Sequence, residues 1–218
     1  MGWFDLWPSL REALFATLYM VSVSAVIAVL GGLPIGVLLI ATDRGGLFPA
    51  PLVNRVLSGI VNLGRSIPFI ILMVALIPVT RAIVKTSLGS TAAIVPLSIA
   101  AIPFYARVAE TALREVDRGL IEMAQAVGCN SWQVVAKVLI PEALPGLVRG
   151  LTITLISLIG HSAMAGAIGG GGLGDLAIRY GYQRFETDVM VATVVTLIIL
   201  VQVVQGVGDR LAALLQHR

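Results

Sequence analysis

The side chains that could do chemistry in this chain are few and scattered. Histidine occurs only as His161 and His217, and Cys129 is the single cysteine. A structural zinc site needs several such ligands converging on one point, so these residues supply no metal site. A lone cysteine forms no intrachain disulfide, and Cys129 reads as a small reduced residue. The stretch Gly169-x-Gly171-x-x-Gly174 satisfies the dinucleotide pattern, but it follows a long apolar run rather than a strand. It reads as a flexible turn at the end of that run. No Gly-x4-Gly-Lys-Ser/Thr loop occurs, so the chain is not itself an ATPase. No serine stands in a recognisable nucleophile setting. The residues point away from an enzyme and toward mechanical or passage functions.

The most ordered chemistry is backbone chemistry. Glu122-Met123-Ala124-Gln125-Ala126-Val127-Gly128 is followed, nine residues on, by Val138-Leu139-Ile140-Pro141. This polar island of short helical segments separates long apolar runs and must lie outside a bilayer. A short helix is expected over Leu120 to Val127, closed by Gly128 in the left-handed conformation that glycine tolerates. Asn130 or Ser131 can cap a second helix, with Gln133 three residues after Asn130 as in a capping box. Pro141 lacks an N–H and is expected to stop that helix. The expected product is a stiff lever that offers Trp132 and Val135 to a groove.

With Glu122, Ala124, Gly128 and Pro141 at their fixed spacing, the island resembles the EAA signature of ABC importer permeases. Met123, Val138 and Ile140 depart from its consensus by apolar swaps. The resemblance implies an all-α type I permease fold whose cytoplasmic loop, about residues 113–146, is pushed by a separate ATPase. Glu122, Ala124, Gly128, Trp132 and Pro141 are the expected coupling residues. Arg65-Ser66-Ile67-Pro68-Phe69-Ile70-Ile71-Leu72, Ala93-Ile94-Val95-Pro96-Leu97 and Leu139 to Val148 look like the methionine importer permease subfamily, as do Gly171 to Gly174 and Tyr180-Gly181-Tyr182. That likeness implies uptake of methionine, a second copy of the chain, two ATP-binding subunits and an external lipid-anchored binding protein. ATP and Mg would be used by the partner ATPase, and no cofactor is expected on this chain. A permease for another polar amino acid, and a scaffold or channel working without ATP, are the competing readings.

The elements that must hold this lever follow from composition. The chain is 57% hydrophobic and 12% charged over 218 residues, with a mean hydropathy of +0.95, which excludes an ordinary soluble domain. A helix crosses a bilayer in about 20 apolar residues. Five segments qualify: Leu14–Ala41, Val56–Val79, Thr91–Thr111, Leu147–Ile168 and Val189–Val207. Their apolar runs are continuous, as in helices, not alternating as in barrel strands. Pro68, Pro78, Pro96 and Pro103 are expected to interrupt the second and third spans. Gly31-Gly32 with Gly36, Gly146 with Gly150, and Gly166 with Gly170 are small-residue faces for close helix approach.

Charge sets the orientation. Arg44, Arg55, Arg65, Arg107, Arg114, Arg118, Lys137, Arg149, Arg210 and Arg218 fall on one side of the spans, against Arg11, Arg81, Lys85, Arg179 and Arg184 on the other. The positive-inside rule puts the richer side in the cytoplasm, hence the N-terminus outside and the C-terminus inside a bacterial inner membrane. The net charge of +3 is spent on this asymmetry and argues for no nucleic-acid partner. The start of the chain reads as an interfacial segment anchored by Trp3 and Trp7, without the basic region of a signal peptide. Arg65 and Arg107 are placed near span ends, where their heads can reach the lipid surface.

Within the spans, a titratable His161 has two readings: a neutral imidazole bonded to a neighbouring helix beside Ser162, or a lining of the passage. Met164, three residues on, is suited to a narrowing that must reshape, with ordinary packing as the alternative. Arg107 and Glu110 read as a local helical pair, and Asp209 with Arg210 as an interfacial pair. One domain over residues 1–218 accommodates all of this.

Overall fold

The computed structural model describes residues 3–216. Among them the secondary structure is helical throughout. Four helices are long and apolar enough to cross a membrane, and a fifth crossing arises if one bent pair is a single span. The first is α1 (Trp3–Ala41), which runs on through Pro34. Trp7 is exposed, as an interfacial anchor would be; the side chain of Trp3, and His217 and Arg218, lie outside the described residues.

The second expected span is not one helix. α2 (Pro51–Ser66) and α3 (Phe69–Ala75) meet at 97°, and α4 (Ile77–Val84) follows. Pro68 forces the break, because the residue before a proline is driven out of the helical region, and Ile67 is extended at φ −82° and ψ 123°. Pro78 falls in the first turn of α4, where its missing N–H costs nothing. By contrast α5 (Ser90–Arg114) runs unbroken through Pro96 and Pro103, so the expected interruption of the third span does not occur.

α1 and α5 form the centre of the bundle. A Cβ on Gly32 would stand 2.8 Å from the carbonyl of Ile102, and one on Gly36 2.9 Å from that of Ala106, so the two backbones touch at glycine. Around this seam Met20, Leu97, Tyr105, Leu113, Leu139 and Leu158 make the main core. Beyond α5 come α6 (Arg118–Ala126), then α7 (Ser131–Val134), a π-helical turn (Val135–Leu139) and α8 (Ile140–Ala167). Pro141 therefore does not stop the second helix of the lever. The wider π turn absorbs the proline, and one continuous rod runs from Ser131 to Ala167. Gly146 and Gly150 lie against Ala112 and Val108 of α5.

α9 (Gly172–Leu176), a second π turn (Ala177–Tyr182) and α10 (Thr187–Gln216) complete the chain. The glycine-rich turn is built rather than loose. Gly169, Gly171 and Gly172 have positive φ, Leu173 is fully buried, and its N–H donates to the Thr17 hydroxyl at 2.9 Å. The Gly89 N–H donates to the Gly169 carbonyl at 2.8 Å, tying the start of α5 to the same end of the bundle. Arg149 bonds Gln216 at 2.9 Å at the opposite end, which also carries the lever. Asp209 accepts from Gln205 rather than pairing with Arg210.

Candidate functional site: an exposed handle and a mid-bundle cavity

The handle is built from backbone caps. Asp117 opens α6 by accepting from the Gly119 N–H at 2.6 Å. Gly128, at φ +88°, closes it: its N–H donates to Gln125 at 3.0 Å and that of Cys129 to Ala124 at 3.0 Å, the paired bonds of a Schellman cap. Asn130, not Ser131, is the cap of α7. Its side chain takes the Gln133 N–H while the Gln133 side chain takes the Asn130 N–H, each at 2.9 Å. Two helices and a tight turn are thus fixed with few side-chain contacts.

The coupling candidates divide by what they touch. Ala124 is buried under α6 and holds it against the bundle. Glu122 is exposed on the other side, at the rim of a groove with Arg44, Arg114, Arg118 and Gln125. Trp132 is 68% exposed and Val127 77%, with Met123 bare beside them. The Trp132 ring meets that of Phe48 at 5.6 Å between centroids. Val135, expected to offer itself to a groove, is instead buried in the core of the chain's own bundle. A handle with a solid inner face and an apolar outer face is made to receive a partner.

A charge ladder that sequence reading only half saw braces the root of the handle. Glu110, with its side chain 9% exposed, accepts from Arg107 at 2.5 Å and from Arg114 at 2.9 Å. Arg114 reaches on to Asp43 at 2.7 Å, and Arg107 to the Ser58 hydroxyl at 2.9 Å and Asn62 at 2.8 Å. The expected Arg107–Glu110 pair is present, but Arg107 does not reach for a lipid surface. It is locked between α2 and α5. Asp43 and Arg114 are 71 residues apart, so their pairing was invisible to any local rule. The Arg114 guanidinium, then the Arg44 N–H, hold the Asp43 carboxyl below its ordinary value.

Further into the bundle lies a cavity of about 260 Å³ lined by Arg65, Phe69, Phe104, Thr154, Ser157 and His161 among others. His161 stacks on Phe69 at 4.6 Å between centroids and 18° between planes, so it lines the cavity as part of an aromatic wall. Ser162 is not in this wall: it is buried, and its hydroxyl donates to the Ile159 carbonyl at 2.7 Å. Met164 is exposed on the bundle surface. Among the described residues no group of histidine, cysteine and carboxylates is placed to hold a metal.

Residues 32–218 match the family described as the binding-protein-dependent transport system inner membrane component. This chain belongs to that family. A probable D-methionine transport system permease protein of Vibrio cholerae is 52% identical over 217 residues, covering 99% of this chain and 96% of its own. The methionine import system permease protein of Bacillus subtilis is 46% identical over 181 residues, 83% of this chain and 82% of that one. Among solved structures, an inward-facing conformation of the MetNI methionine ABC transporter superposes with a TM-score of 0.96 at 49% identity, covering 99% of both chains. An amino acid ABC transporter with histidines superposes at 0.74 with 20% identity, a likeness of fold alone. The fold is therefore that of an ABC importer permease, a transport subunit rather than an enzyme.

Proposed function

We propose that this permease imports methionine, the L- and also the D-enantiomer, across a bacterial inner membrane. The observation that carries this reading is the end-to-end likeness to methionine permeases, 52% identical over 99% of the chain in one relative. The whole chain acts as one membrane domain, and two copies enclose the passage, since five crossings are thin for surrounding a solute. Each copy receives one ATP-binding subunit on its handle through Glu122, Ala124, Gly128, Trp132 and the Pro141 turn. An external binding lipoprotein delivers the substrate from the side where the N-terminus lies, and the C-terminus and handle are cytoplasmic.

The mechanism is a two-state rocking. ATP with Mg closes the paired ATPases, the handles draw together, and the rods from Ser131 to Ala167 transmit the movement from Trp132 to the wall at His161. A continuous rod suits this task better than a lever that ends at Pro141, because no hinge intervenes between docking surface and passage. His161 is assigned to the wall of the passage, and Met164 and Ser162 on the same stretch of α8 to the gate, a role supported for His161 by its place in the cavity.

Uptake of radiolabelled methionine into vesicles holding the permease, the ATPase and the binding protein tests the assignment. Accumulation that requires ATP is expected; ATP-independent equilibration points to a channel. Labelling of Cys129 by an impermeant maleimide only from the cytoplasmic side is expected for the orientation. Labelling only from outside inverts it.

A further inference from the structure

We infer that Arg65 is a station on the passage for the carboxylate of the travelling amino acid, an inference that rests on the import reading above. Its guanidinium lies 5.8 Å from the centre of the Phe104 ring, in the cavity closed on its other side by the Phe69–His161 stack. Phe104 stands ten residues before Arg114 on α5. At a rise of about 1.5 Å per residue that places Phe104 about 15 Å of helix before Arg114, with the charged Arg107 and Glu110 in between. Arg65 is exposed in the single chain, in the last turn of α2 before the break with α3, so its guanidinium is open to the space that the cavity borders.

An arginine that borders a cavity within a membrane bundle needs a counterion or water, and such residues mark passages. Among the described residues no carboxylate pairs with Arg65; Glu110, Asp43 and Asp175 are committed to Arg107, Arg114 and Arg179. Among the described residues its guanidinium faces only the Phe104 ring. Gly64 lets α2 close on Pro103, and Arg65 beside it lines the cavity. Asn54, Ser58, Asn62 and Arg65 recur at helical spacing on α2, and the first three border a polar groove with Arg44 and Arg55 at the cytoplasmic end. Polar side chains thus follow one face of α2 from that groove to Arg65.

The chemistry of the cavity selects a class of ligand. A guanidinium fork matches a carboxylate in two parallel hydrogen bonds. The Phe104, Phe69 and His161 rings offer an apolar wall for an aliphatic or thioether chain, and no acidic group in the cavity answers an ammonium. The station accordingly reads the α-carboxylate and tolerates the side chain, as a passage that must release its cargo requires.

Two measurements on the complete complex test this. Modification of Arg65 by hydroxyphenylglyoxal, followed by mass spectrometry of its peptide, is expected to be slowed by methionine and by norleucine but not by methioninol, which lacks the carboxylate. Equal protection by all three, or by none, overturns the inference whether or not methionine is the cargo. In vesicles, Arg65→Gln is expected to lower methionine uptake about tenfold or more while Arg65→Lys recovers much of it. Wild-type uptake by Arg65→Gln overturns the station. Absence of methionine uptake by the unmodified complex, with protection by carboxylates intact, sinks the methionine assignment and leaves the station standing.

Discussion

Lys137 and Pro141 stand one turn apart on the same helix, and the backbone between them is wound as a π turn centred on Lys137. In a regular α-helix the pyrrolidine ring of Pro141 would collide with the carbonyl of Lys137, four residues back. Widening the turn by one residue removes the collision and keeps the rod intact. The same extra residue sets the rotation of Trp132 about the axis of α8. Replacing Pro141 with Ala removes the reason for the wide turn. Relaxation to α geometry would rotate the handle by about 100°, one residue of helix. Pulsed spin-label distances between Cys129 and a cysteine introduced on α8 are expected to shift by several ångströms, with uptake reduced and thermal stability not lowered. Unchanged distances would show that the wide turn is held by packing of Val135 and Leu139 instead.

Glu110 neutralises two arginines at once, so its removal strands Arg107 in a half-buried setting. Glu110→Ala is expected to destabilise the permease by about 3 kcal/mol, the scale for breaking one partner out of a buried ion pair. The double variant with Arg107→Ala is expected to be less destabilised than the sum of the singles, because it leaves no orphaned charge on α5. Thermal unfolding of the four proteins in detergent checks this. Strict additivity would mean that Arg107 is held by Ser58 and Asn62 alone.

The handle and the crossings were legible in the sequence because both are written locally. Gly128 and the Asn130–Gln133 box act within a few residues, and their caps appear as expected. Small residues at Gly32, Gly36, Gly146 and Gly150 likewise announced where helices touch. What failed was the effect of proline, which depends on whether neighbours can absorb it. Pro68 breaks a helix, Pro96 and Pro103 do not, and Pro141 widens a turn, although local sequence treats all four alike. The cavity and charge ladder failed for a different reason. Asp43 with Arg114, Ser58 with Arg107, and Phe69 with His161 are pairs made only when distant helices pack.

Gly166 packs directly on the backbone of α9, where an added Cβ would collide with the Asp175 nitrogen and the Gly174 carbonyl carbon. Neither atom is the free end of a side chain, so the contact cannot be relieved by a rotamer change. Gly166→Ala is expected to cost about 1–3 kcal/mol as an overpacking substitution. Gly160→Ala on the same helix, which meets nothing within 4 Å, is expected to leave stability unchanged or slightly raise it. Melting temperatures of the two variants separate backbone collision from a general intolerance of α8 to substitution.

Trp132 is the largest apolar side chain on the outer face of the handle, and its ring rests on Phe48 rather than on the core. Truncating it therefore removes contact area from a docking surface without opening a cavity beneath. For a tryptophan at the centre of an interface, loss of about 2 kcal/mol or more is ordinary, roughly a thirtyfold weaker association. Trp132→Ala is expected to weaken binding of the ATPase subunit by that order in a detergent titration, with the melting temperature of the isolated permease unchanged. Trp132→Phe should retain much of the affinity by keeping a ring against Phe48. If Trp132→Ala binds as well as the parent while Met123→Ala or Val127→Ala does not, the docking centre lies on α6 and the tip of α7 is only its rim.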